Sequence, residues 1–227
     1  MTIADNLRDI HDHIESAKTR KGTNQAVKII AVTKTHPFSI INTCYNNGIR
    51  SIGENRVQEA IKKFQNLSGV PSLIKRFIGH LQTNKVNKCL DYFDTIDSVD
   101  SVRLAKKISN RAKHLNRSIQ ILLEVNTTNE EKKHGFLPEQ IDEMLYCTTL
   151  SKIKIEGLMT VGPLTKNEKD IRNSFGLLRK LKEDLNSKLN KKMINELSMG
   201  MSNDFQVAVE EGSTMIRIGT ALFGKRR

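Results

Sequence analysis

Apolar residues step along the start of the chain by three and four, at Ile3, Leu7, Ile10, Ile14 and Ala17, which predicts an amphipathic leading helix. A short unbroken apolar run follows, VKIIAVTK at 27–34, set between Gly22 and Pro37. A run without polar alternation reads as a strand buried on both faces. Ser39 then opens a helix that closes at Gly48. The alternation repeats with a strand RSIGE at 50–54 and a helix carrying Val57, Ala60, Ile61, Phe64 and Leu67. Next come a strand at 73–80, a short helix TNKVNKCL, a strand at 93–99, and a helix carrying Val102, Ala105, Ile108 and Ala112.

The second half keeps the rhythm. A strand at 118–126 precedes a polar loop and a helix from Pro138 to Thr149. A strand at 154–162 leads into a long helix that buries Ile171, Phe175, Leu178, Leu181, Leu185 and Leu189. A strand at 195–200, a helix at 204–212, and a last strand and turn at 215–224 complete the chain. Strands alternating with helices imply right-handed crossovers and a parallel sheet. Eight such units in 227 residues predict an α/β fold, a closed (β/α)₈ TIM-type barrel with an extra N-terminal helix. A doubly wound open sheet is the alternative. No linker or repeat divides the chain, so a single domain over 1–227 is expected.

Composition narrows the classes. Lys and Arg number 37 against 25 Asp and Glu, a formal net charge of 37 − 25 = +12. Such an excess often marks a nucleic-acid partner. Here the lysines, among them Lys62, Lys63, Lys106, Lys107, Lys180 and Lys182, spread over outward helix positions without interleaved aromatics. Specific nucleic-acid binding is therefore not expected. No apolar stretch is long enough for a membrane span, and the first residues carry acids where a signal peptide has its apolar segment. A cytoplasmic protein is expected. Cys44, Cys89 and Cys147 lack metal-ligand spacing and read as buried hydrophobes. No metal site is expected either: His11 and His13 face different ways on a helix, and His36, His80, His114 and His134 lack ligand-spaced companions.

A barrel of this kind gathers its chemistry at the C-terminal ends of the strands. Lys34 closes the first strand, Glu54 and Asn55 follow the second, and His80 ends the third. Ser98, Asn126, Met159 and Gly162 end later strands, Met199, Gly200 and Ser202 follow the seventh, and Arg217, Gly219 and Thr220 end the eighth. Lys34 projects from an apolar run. An amine in partly desolvated surroundings gives up its proton more easily, and the neutral form attacks a carbonyl to make a Schiff base. A lysine snorkelling at a strand end is the plainer alternative. The segment SMGMSND places Gly200, Ser202, Asn203 and Asp204 between a strand and a helix start, where backbone N–H groups and the Ser202 hydroxyl form a phosphate cradle. Gly219 and Thr220 supply a second piece, at the loops that hold phosphate in such barrels. Arg217 shares one strand face with Met215 and Gly219. Lysine and cradle in one mouth point to a phosphorylated aldehyde.

AVTKTHP, GENRVQEA, FIGHLQTNK, EVNTTNEEKKHGF, GLMTVG and MGMSNDFQVAVEEGSTMIRIGTALFGKR resemble, in order and spacing, the pyridoxal-phosphate homeostasis protein family. That family is similar to the N-terminal barrel of alanine racemase, fold type III. The resemblance implies that Lys34 carries pyridoxal 5′-phosphate (PLP) as a Schiff base, and that Ser202, Gly219 and Thr220 hold the phosphate. It also implies that Arg217 faces the pyridine nitrogen and that Gly200, Asn55 and His80 lie near the cofactor. Two departures stand out. The family's K-T-K-P reads Lys34-Thr35-His36-Pro37, and an aromatic–histidine pair before F-I-G reads Lys75-Arg76; both are expected to affect only the surface near the mouth.

The same residues favour a carrier over a racemase. PLP acts as an electron sink best with its ring nitrogen protonated, and a permanent cation opposite that nitrogen disfavours protonation. Racemisation also needs two bases on opposite faces of the α-carbon. Alanine racemases draw the second from a tyrosine on an additional domain, not expected in a chain that runs only to Arg227. Tyr45 and Tyr146 read as helical and Tyr92 precedes the fourth strand. The expectation is an intracellular PLP-homeostasis protein that holds the cofactor and supplies apo-enzymes with little or no turnover, as a monomer. The alternatives are a slow PLP-dependent racemase, using water or a cysteine as second acid, and an aldolase acting through Lys34.

Overall fold

The computed structural model describes residues 2–128 and 130–224. Position 129 and positions 225–227, which fall within two of the sequence motifs, lie outside the described residues, as does position 1, so the span 1–227 is covered only in part. Helix α1 (Ile3–Lys21) is followed by β1 (Lys28–Val32), α2 (Ser39–Asn46), β2 (Ser51–Glu54), α3 (Val57–Phe64) and β3 (Ile74–Phe77). A 3₁₀ turn (Thr83–Lys85) runs into α4 (Val86–Tyr92), then β4 (Thr95–Val99), α5 (Val102–His114), β5 (Ile119–Glu124) and α6 (Ile141–Thr148). The chain ends with β6 (Ile153–Met159), α7 (Glu168–Lys188), β7 (Glu196–Met201), α8 (Phe205–Glu210), β8 (Met215–Ile218) and α9 (Thr220–Phe223). Each strand pairs in parallel with the next, and β8 pairs with β1 to close a barrel. All eight strand C-termini therefore open on one rim.

Alternation along β1 and β8 sorts side chains into two cores. Ala31, Ile216 and Ile218 point outward onto helices, while Ile30, Leu122, Met159 and Met215 fill the barrel interior. Helix α1 takes the place of an eighth outer helix, because α9 is only four residues long. Its buried face, Ile10, Ile14 and Ala17, packs in one cluster with Ile216, Ile218 and Leu222. The Asn6 Nδ2 donates to the Leu222 carbonyl at 2.9 Å. A capping box between Thr2 and Asp5 starts the helix, and Gly22 stops it at φ +64°.

The expected elements are present, with trims at their ends. Strand runs predicted at 27–34 and 73–80 shorten to Lys28–Val32 and Ile74–Phe77, because the chain turns into rim loops before the apolar run ends. The helix expected from Pro138 starts at Ile141, the last turn carries α9, and Leu67 and Leu189 fall just beyond α3 and α7. Two charged positions need correction. Lys63, expected on a solvated face, is buried and donates to Glu54 Oε1 and Glu59 Oε1, each at 2.8 Å. Arg76, expected near the surface of the mouth, lies inside the barrel and donates to Asp97 at 3.1 Å. Each of these two cations meets a buried carboxylate (Glu54 or Asp97), which offsets part of the cost of taking both charges out of water.

Candidate functional site

Lys34 stands two residues beyond β1, half-buried, on the rim. Among the described residues no hydrogen bond or ion pair holds its amine. That amine shares a cavity of about 610 Å³ with Val32, Ser202, Asp204, Arg217, Gly219 and Thr220. The fold thus brings together five of the residues singled out in the sequence: Lys34, Ser202, Arg217, Gly219 and Thr220.

Arg217 is the fixed point of this cavity. It sits on the inner face of β8, buried, with Nη1 donating to the Ser198 carbonyl (2.7 Å) and hydroxyl (2.8 Å) and Nη2 to the Thr160 carbonyl (2.7 Å). Three of its five N–H groups are so used, and two remain for a ligand. Burial draws its pKa below the ordinary arginine value, while the charges of Asp204, Glu124 and Asp97 pull the other way. Ser202 joins the loops after β7 and β8: its Oγ accepts from the Gly219 N–H at 3.3 Å and the Ala221 N–H at 3.1 Å. Its own O–H stays available to donate. A Cβ added at Gly219 would meet only Val32, at an ordinary 3.7 Å, so no protein atom demands a glycine there. Space kept clear on the cavity side suits an anion that approaches the backbone.

Asp204 complicates an anion cradle. Its Oδ1 accepts the Met201 N–H at 2.5 Å, and burial raises its pKa, against the opposing backbone bond and the Arg217 charge. Glu124, at the end of β5, was not singled out in the sequence. Burial, reinforced by the charge of Asp100 and opposed by that of Arg217, pushes its pKa up to about 7. Its signal was present as an acid in the apolar run SIQILLEVN.

The remaining candidates lie elsewhere. Gly200 stands behind the cavity wall at φ +96°, where a Cβ would come within 2.6 Å of the Ala208 Cβ, so it shapes the β7–α8 turn. Asn55 packs against Gly79, whose added Cβ would meet the Asn55 carbonyl at 2.5 Å. His80 is exposed on the rim, with Nδ1 3.1 Å from Asp100 Oδ2 and its ring stacked 3.7 Å from that of His134. The fold therefore gives His80 companions that its sequence spacing did not show. The rings are within 12° of parallel, so their in-plane lone pairs cannot converge on one ion, which argues against a metal centre.

Cys44, Cys89 and Cys147 are buried on outer helices. Burial pushes the Cys44 and Cys147 thiols up to about 12 and about 11, and the Cys89 thiol up as well. Among the described residues no cysteine or tyrosine lines the cavity, and no helix is long and apolar enough to cross a membrane.

The family model described as alanine racemase, N-terminal domain, matches residues 4–227. A protein of Aquifex aeolicus named pyridoxal phosphate homeostasis protein is 41% identical over 229 residues, covering 100% of both chains. The solved structure of PipY of Synechococcus elongatus with PLP bound superposes with a TM-score of 0.86 at 36% identity, covering 98% of this chain and 100% of that one. An alanine racemase of Clostridium difficile shares the fold alone, with a TM-score of 0.79 at 19% identity over 98% of this chain and 57% of the racemase.

Proposed function

The chain belongs to the pyridoxal phosphate homeostasis protein family, and on that premise we propose that it binds PLP covalently through Lys34 and keeps the reactive aldehyde in store for apo-enzymes. PLP is its cofactor and PLP homeostasis its role. The observation that carries the finer reading is the unpartnered Lys34 amine in one cavity with Ser202, Arg217, Gly219 and Thr220.

The residues present fit the group. Lys34, in its neutral form, would hold the cofactor through the aldehyde carbon, whose oxygen would leave as water. Ser202, through its free O–H, and Thr220 hold the phosphate beside the cleared face of Gly219. Arg217, anchored by Ser198 and Thr160, would meet the ring nitrogen with a proton it does not give up. When bound, PLP would supply an electron sink, and a permanent cation at Arg217 would weaken that sink by disfavouring a proton on the ring nitrogen.

Borohydride reduction followed by peptide mass mapping tests the attachment. The expected result is a pyridoxyl adduct on Lys34 that is lost in Lys34→Ala. An unmodified Lys34 in protein saturated with PLP would overturn the site.

Little or no turnover is expected, since among the described residues no cysteine or tyrosine lines the cavity as second acid. Racemisation assays over a panel of amino acids check this. Rates no higher than those of free PLP are expected, and a clear excess that disappears in Lys34→Ala would establish the racemase instead.

A further inference from the structure

Lys34 projects into the cavity, but both its chain neighbours are held from the opposite side of the strand. The Thr33 hydroxyl donates to Glu54 Oε1 at 2.6 Å, and the Thr33 carbonyl accepts from the Lys63 ammonium at 2.8 Å. On the other side of Lys34, the Thr35 N–H donates to Glu59 Oε1 at 2.6 Å. Lys63 joins the two halves, since its ammonium also donates to Glu54 Oε1 and Glu59 Oε1 at 2.8 Å each. All three of its N–H groups are then used. The cluster lies between β1, β2 and α3, apart from the cavity. Glu54 is wholly buried and Lys63 is 8% exposed.

Two features show that this brace holds the turn against a cost. Thr35 adopts φ +67°, a left-handed conformation that a β-branched residue avoids unless its surroundings impose it. The second oxygen of Glu54, Oε2, is buried with no hydrogen-bond partner, so the site accepts an incompletely satisfied carboxylate. Ordinary packing of a helix on a barrel requires neither. A surface lysine at the same place would have been sufficient for α3.

We propose that Lys63, with Glu54 and Glu59, is a positioning cluster that clamps Thr33 and Thr35 and so aims the Lys34 amine for bond formation with the aldehyde. It rests on Lys34 as the attachment point. Reaction between two held groups is sensitive to displacements of about 1 Å, at a cost of roughly a hundredfold in rate. Binding that depends on the phosphate cradle and Arg217 is not, because those residues belong to β8 and to the segments that follow β7 and β8. Loosening the clamp should therefore slow the covalent step and spare non-covalent affinity.

The experiment compares wild type, Lys34→Ala, Glu59→Ala, Glu59→Gln and Lys63→Met in two measurements. One is the rate of Schiff-base formation with PLP, followed by absorbance and trapped with borohydride. The other is the affinity for pyridoxamine 5′-phosphate, which carries phosphate and ring but no aldehyde. Glu59→Ala should slow formation at least tenfold while its affinity for the amine analogue stays within twofold. Glu59→Gln, which keeps an oxygen acceptor for the Thr35 N–H, should recover most of the rate. Lys63→Met should act in the same direction where its circular dichroism matches wild type, and Glu59→Ala carries the test if Lys63→Met does not fold. An unchanged rate in folded Glu59→Ala, or equal losses of rate and analogue affinity, would overturn the positioning role. A wild type that forms no adduct at Lys34 would instead overturn the attachment site on which the proposal stands.

Discussion

Glu124 is a carboxylate inside the barrel with no hydrogen bond to its oxygens among the described residues, and its protonation can be read from stability. Its pKa of about 7 lies above the ordinary 4.5 because burial disfavours the charge, with Asp100 adding to the effect. Below pH 4.5 the folded and unfolded states both hold the proton, so no penalty exists. Between pH 4.5 and 7 the unfolded chain loses it first, and stability falls as pH rises. Above pH 7 the penalty is complete, at most about 3 kcal/mol. Glu124→Gln removes the titration, so in ligand-free protein its unfolding free energy should gain on wild type across pH 4.5–7 and level off above. Urea unfolding at several pH values measures this, and a difference independent of pH would refute it. The sequence made Lys34 legible because a cation ending an unbroken apolar run is conspicuous. Glu124 offered the same kind of signal, yet its weight depends on Asp100 and Arg217, which only barrel closure brings near.

The elements were legible to the extent that burial dictates their pattern. A strand covered on both faces must be a continuous apolar run, so VKIIAVTK and SIQILLEVN announced β1 and β5. Their ends were not, since Thr33 and Lys34 extend the run past Val32, where β1 ends. Helix α3 shows a different limit. Lys63 follows Lys62 at what reads as an outward helix position, so solvent is expected around it. The deciding partner is Glu54, at the end of the preceding strand, where a fully buried carboxylate demands a cation. Neither helix period nor strand period relates those two positions. The 3₁₀ turn at Thr83–Lys85 opens the short helix expected over TNKVNKCL, and α9 occupies the expected last turn; stretches this short carry no period that fixes their type. Gly200, expected near the cofactor, has a positive φ and a close approach to Ala208 that by themselves require a glycine at the β7–α8 turn.

At the scale of the molecule, one barrel position lacks a full helix. After β8 the described residues form only α9, Thr220–Phe223, which is too short to cover the outer faces of β8 and β1. Helix α1 supplies that cover from the other end of the sequence, and it does so with a narrow stripe of three buried residues. The residues it shields, Ala31, Ile216 and Ile218, alternate along the strands with Ile30 and Arg217 on the inner face. Support of the outer face is therefore support of the wall that carries Arg217. Ile14 is 2% exposed at the centre of this stripe, where truncation leaves a cavity that strands and helix cannot both close. Ile14→Ala is expected to destabilise the fold by about 2–5 kcal/mol, read as a lower urea midpoint with an unchanged slope. A loss below about 1 kcal/mol would mean that α1 merely lies against a barrel already complete without it. An equal loss at Ile10→Ala, 3% exposed on the same stripe, would show that the leading helix acts as the eighth outer element along its length.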